Sequence, residues 1–155
     1  MAMNTFLYAA ITNKIVLAVF LSWFLAQTIK TIIKFTEGGK QSIKEMIGSV
    51  GGMPSSHSAS VVALFIGACF AEGVTTVTVV TGVLMIIVIR DSVGVRQAVG
   101  QQGLILQDIV GYLDKSLKLK RVDKKLFKVV LGHTGIQVFM GCLLGFVVVL
   151  IVFLS

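Results

Sequence analysis

The sequence is poor in what a water-soluble domain needs on its surface. Only seven of its 155 residues are acidic and 14 % are charged, whereas 55 % are hydrophobic. A soluble domain carries about a quarter of its residues as charges, so this balance excludes a soluble globule. What remains is an all-α integral membrane protein of one domain, residues 1–155, since each helical crossing consumes about 20 residues. Proline occurs once, at Pro54, so the apolar runs are free of the residue that breaks helices. Cysteine is limited to Cys69 and Cys142, both inside apolar runs, where a thiol behaves as a small hydrophobe; no disulfide or metal role is expected of them. No basic region followed by a small-residue cleavage site opens the chain, so the first span is expected to serve as its own insertion signal. No repeat is visible.

The apolar runs give about four transmembrane helices, at roughly residues 15–35, 55–71, 74–89 and 133–154. Only Glu72 and Gly73 separate the second from the third, which predicts a tight helical hairpin. After Arg90 the stretch "DSVGVRQAVGQQGLILQDIVGYL" is mixed, and is expected to continue as an amphipathic segment at the membrane surface, running into a basic one. Four crossings put both termini on one side and the longer loops, 36–53 and 90–132, on the other. Lys115, Lys118, Lys120, Arg121, Lys124, Lys125 and Lys128 crowd the second loop, and Lys40 and Lys44 the first. That excess predicts that both loops are cytoplasmic and the termini lie opposite. The same lysines suit anionic membrane lipids. Nucleic acid is not an expected partner, because no reader module accompanies the charge.

This topology gathers scattered polar residues at one membrane face: the turn "MPSSH", the segment from Asp91 to Gln101, the turn "GHT", and Lys30 and Lys34, which share a helical face with Gln27. Two helices begin there, presenting unpaired N–H groups and positive dipole ends. Ser55 or Ser56 can cap one, and Thr134 lies in the first turn of the other. Arg96, Lys30, Lys34 and Lys128 add positive charge, so the region suits a phosphate. Each piece also has an ordinary structural use. Serines after a proline start helices, Asp91 and Arg96 can pair with each other, and Gly94, Gly100 and Gly103 can serve helix packing. The two histidines, opening two different spans on one face, tip the reading toward chemistry. One imidazole can attack phosphorus while the other protonates the leaving oxygen. No cluster of carboxylates, histidines or cysteines demands a metal, and no cofactor is expected. A substrate reaching such a site from the bilayer would be a lipid phosphate.

The three ordered stretches "GGMPSSHSA", "DSVGVRQAVGQQ" and "LGHTGIQVFMG" resemble the small divergent membrane family related to the type-2 phosphatidic acid phosphatases, from Gln27 to the last span. The resemblance implies that His57, in the pattern Pro-Ser-x-His, is the general acid and that His133 is the nucleophile. Lys128 then occupies the place of a phosphate-binding arginine. Gln137 stands where the superfamily has an orienting aspartate, Phe127 where it has a serine, and no Lys-x6-Arg-Pro motif precedes "MPSSH". An amide can hold an imidazole N–H but cannot stabilise the imidazolium by charge. Asp91 and Arg96 are the residues that topology offers for the absent carboxylate and arginine. The function expected is a lipid-phosphate phosphatase acting on a phosphomonoester or diphosphate lipid through a phosphohistidine. The alternatives are a non-catalytic protein of the same fold that binds or transports lipid phosphates, and an assembly subunit packing through its glycines. Four short helices enclose little space, so a homodimer is expected to complete a polar pocket.

Overall fold

Small polar residues mark where the helices start. In the computed structural model, which describes residue 8 and residues 12–36, 52–117 and 132–155, Asn13 Oδ1 accepts the N–H of Ile15 at 2.8 Å and opens α1 (Lys14–Thr36). Ser55 caps α2 (Ser56–Glu72), its Oγ accepting the Ser58 N–H at 3.4 Å. Thr75 and Thr78 form a reciprocal capping box at the head of α3 (Thr76–Arg90), the Thr78 hydroxyl accepting the Thr75 N–H at 2.8 Å. Each cap satisfies N–H groups that have no partner within the helix. Between α2 and α3 only residues 73–75 intervene, so the tight hairpin is present.

The end of α3 is not an end. Asp91–Val95 forms a π-helical turn, and the helix resumes without a break as α4 (Arg96–Leu117). The stretch expected as loop from residue 90 is therefore helical as far as Leu117, in line with the expected amphipathic segment; residues 118–131, which complete that loop, lie outside the described residues, as do 37–51 of the first loop. After Gly132, His133 and Thr134 comes α5 (Gly135–Leu154), so the last helix starts two residues later than the apolar pattern suggests.

α2 packs against α1, α3 and α5, and α1 also meets α5. The core is built from small side chains: Ala18, Ala63, Val148, Val149 and Val152 are all buried. Helices in a bilayer gain nothing from hiding carbon from lipid, so they associate through close contact of small residues. Gly141 and Gly145, one turn apart on α5, face the Ser55 and Ala59 carbonyl oxygens of α2, and a methyl group at either position would collide with that backbone. Conversely, large apolar side chains point outward, among them Phe20, Phe24, Val79, Val80, Ile86, Ile87 and Ile151. Three helical stretches, Lys14–Thr36, Thr76–Leu113 and Gly135–Leu154, are long and apolar enough to cross a membrane; α2, with 17 residues, is a shorter apolar helix. The chain is an all-α integral membrane protein.

Candidate functional site

Four helix ends meet at one end of this bundle. The Ser55 N–H donates to the Gln137 carbonyl at 3.0 Å, which joins the start of α2 to the start of α5. The His133 N–H donates to the Ser92 carbonyl at 3.2 Å, which joins the start of α5 to the π turn after α3. Gly52 lies against the stems of Lys30 and Lys34 near the end of α1: a Cβ there would stand 3.3 Å from Lys30 Cγ, and its φ of +93° suits only glycine. Between Gly52 and the cap, the turn contains a cis Met53–Pro54 peptide bond. Gly132 rests directly on the backbone of Arg96 and Gln97, with no room for a side chain.

His57 and His133, 76 positions apart in sequence, come together here with ring centroids 6.5 Å apart and planes inclined at 57°. Their environments differ. His57, in the first turn of α2, is exposed, while His133 is only 2 % exposed. The Thr134 N–H, which can only donate, donates to Gln137 Oε1 at 3.2 Å, and the same oxygen lies 3.2 Å from His133 Nδ1. An oxygen cannot donate, so Nδ1 must carry the ring proton and Nε2 the lone pair. Nε2 is buried and has no hydrogen-bond partner among the described residues. His133 stands outside the spanning helices, and burial holds its imidazole below the ordinary range. The Gln137 hydrogen bond acts against that shift, and the charges of Lys30, His57 and Arg96 reinforce it.

The expected anion ligands fall into several groups. Lys30 is 3 % exposed and lies within electrostatic reach of both histidines, as does Arg96. Lys34 is half-buried beside Lys30. Asp91 does not orient His133. Its Oδ2 instead accepts from Arg96 Nε at 2.6 Å across the π turn, and its charge bears on His57. Ser55 is buried and committed to capping, its Oγ also accepting the Ser58 hydroxyl at 3.0 Å. Ser56 is buried in the first turn of α2. Lys128 and Phe127 lie outside the described residues. Among the described residues, no group of three or more His, Cys, Asp or Glu side chains could hold a metal ion.

Several features of the site go beyond the sequence reading given above. Thr134 is the cap of α5 rather than part of its first turn, and Gln137 belongs to a Thr-x-x-Gln capping box, a pattern visible in the sequence. Gly141 and Gly145 are separated by three residues, the familiar spacing for close helix contact. By contrast Gly94, a candidate for packing, has none of the described residues within 4 Å of where a side chain would begin. Ser92 bears no sequence signal, because its role comes from a backbone carbonyl in a π turn.

Comparison with known proteins agrees with this architecture. Residues 11–148 match the family described as the Divergent PAP2 family. An uncharacterized membrane protein of Bacillus subtilis (strain 168), YuiD, is 31 % identical over 150 residues, covering 91 % of this chain and 94 % of that protein. No solved structure matches. By the match along most of its length, the chain belongs to the Divergent PAP2 family.

Proposed function

We propose that this protein is a lipid-phosphate phosphatase that works through a phosphohistidine on His133, with its site at the cytoplasmic face. The observation that carries the reading is the state of His133: Nδ1–H is held by Gln137 Oε1, and the lone pair on Nε2 is buried beside a second histidine, with no partner among the described residues. A neutral, oriented imidazole is what nucleophilic attack on phosphorus needs. In the first step Nε2 forms a bond to phosphorus while the bond from phosphorus to the lipid oxygen breaks, and His57 gives that oxygen a proton. In the second, water attacks phosphorus, His57 takes the water's proton, and the N–P bond breaks to release phosphate. Lys30 and Arg96 offset the negative charge on the non-bridging oxygens. The exposed position of His57 suits proton exchange with water between the two steps. The cytoplasmic orientation is argued from the excess of basic residues between Lys115 and Lys128 in the sequence.

Gln137 favours a second reading, a binder of lipid phosphates, since an amide gives the imidazolium no charge stabilisation. One experiment separates the two. Purified protein in detergent is offered phosphatidic acid, phosphatidylglycerol phosphate and polyprenyl phosphates and diphosphates, with and without chelator, and released phosphate is measured for wild type, His133→Asn and His57→Asn. Release that persists in chelator, vanishes in His133→Asn and falls by about 100-fold or more in His57→Asn supports the phosphatase. Retained binding with no release from any substrate supports the binder and refutes the phosphatase.

A further inference from the structure

An apolar groove of about 260 Å³ runs between α1 and α5, and residues of its lining adjoin site residues in the chain: Met53 follows Gly52, which lies against the Lys30 stem. Ile29 and Ile33 form one wall and flank Lys30 in the chain; Pro54, at the head of the groove, adjoins the cap Ser55. Met140, Leu143 and Val147 form the other wall, and Met140 follows Gln137 by three residues on α5. A buried ammonium beside one end of an otherwise apolar groove specifies an amphiphile with an anionic head. We propose that this groove holds a single hydrocarbon chain of the lipid whose phosphate sits between His57 and His133; the proposal rests on the reading of that site as a lipid-phosphate site.

From Met140 to Val147 the α5 wall rises about 10 Å, and every lining residue is apolar, as an alkyl chain lying along α5 requires. The groove does not act by hiding carbon from water, because the chain leaves one hydrocarbon environment for another. Its contribution is orientation: a chain lying along α5 brings its phosphate to the level of His133 and fixes the approach to Nε2. Met140 at the head end is unbranched and adaptable, so the groove selects for having a chain more than for its identity.

The test uses the full-length protein in nanodiscs and a phosphatidic acid carrying a diazirine midway along one chain. Crosslinked residues are mapped by mass spectrometry, with the matching diacylglycerol probe as the neutral-head control. The expected result is crosslinking to Met140, Leu143 or Val147 and to Ile29 or Ile33, competed by unlabelled phosphatidic acid, and at least tenfold weaker for the diacylglycerol. In parallel, Leu143→Trp, which fills the groove, is expected to weaken capture of the phosphatidic acid probe at least tenfold while leaving inorganic phosphate binding, read by competition, unchanged. Phosphate-dependent capture whose crosslinks map to α3 or to another face overturns the groove and leaves the phosphate site standing. Capture by Leu143→Trp equal to wild type also overturns the groove. Absence of any head-group dependence overturns both.

Discussion

Replacing Gly145 with alanine adds one methyl group at the closest approach of two helices, and its effect can be worked out from the contacts. The new Cβ would collide with the Ala59 carbonyl oxygen and stand 3.1 Å from both the carbonyl carbon and Cα of Ala59. Comfortable carbon contacts lie at about 3.5–4.0 Å, so the helices must part by an amount on the order of 1 Å. All three colliding atoms are backbone, which cannot rotate away as a side chain can. Overpacking of this kind costs about 1–3 kcal/mol. Alanine regains about 1 kcal/mol over glycine in helix propensity, so the net loss is smaller than the collision alone. Gly111→Ala on α4 carries the same propensity gain with nothing within 4 Å, so the difference between the two variants isolates the steric cost. Melting in detergent, followed by far-ultraviolet circular dichroism, should show Gly145→Ala below Gly111→Ala by an amount on the order of 5 °C. The site should suffer too, because the same helix pair carries the Ser55 to Gln137 bond and the two histidines. An ångström of misplacement can cost about 100-fold in rate, so phosphate release should fall more than stability suggests. If Gly145→Ala melts at or above Gly111→Ala, the α2–α5 contact is not as close as described and the account of how the histidines are juxtaposed fails.

Two further outcomes follow from the same residues. Gln137→Glu should keep the Thr134 N–H satisfied and place a charge beside Nδ1 and a helix N-terminus, raising the His133 titration point seen by NMR and, on the proposed function, speeding phosphate release about tenfold or more; slower release with an unmoved titration would contradict the orienting role. Because burial holds His133 below its unfolded value near 6.5, the unfolded chain binds more protons as pH falls through the imidazole range. The melting temperature of wild type should therefore drop between about pH 7 and pH 5, and the slope should shrink in His133→Asn; identical slopes would remove His133 as the titrating group.

How far the sequence could be read depends on which interactions are local. The Pro54-Ser55-Ser56 start of α2 was legible because a cap and the apolar run it serves are neighbours in the chain. The meeting of His57 and His133 at one end of the bundle was legible only indirectly, through the expected count of crossings. The course of the chain past Arg90 was less so. Two charged residues and a glycine resemble a helix end, yet the helix continues, since Asp91 and Arg96 neutralise each other across the π turn and the Ser92 carbonyl finds a donor in His133. That donor lies 41 positions away, and no local pattern could announce it. Likewise, the carboxylate sought for His133 in Asp91 is taken by Arg96, and the partner is the residue that looked like a defect, Gln137.

Gln137 gains meaning when its two hydrogen bonds are taken together. An aspartate one turn after the histidine would charge the imidazolium's partner, but its shorter side chain would have to reach both Nδ1 and the helix cap. The longer glutamine places one oxygen within 3.2 Å of both the Thr134 N–H and His133 Nδ1. It thereby fixes the ring tautomer and caps α5 with a single atom. The cost is charge: the imidazolium that forms as Nε2 bonds to phosphorus is stabilised only by a dipole. Lys30 and Arg96, both in electrostatic reach of His133, oppose that cation further. A site so arranged favours the neutral imidazole over the charged phosphohistidine ring, so attack on phosphorus should be harder than regeneration. It follows that a phosphohistidine on His133, if formed, should not accumulate in wild type, and that rapid quench after mixing with labelled substrate should trap more of it in Gln137→Glu.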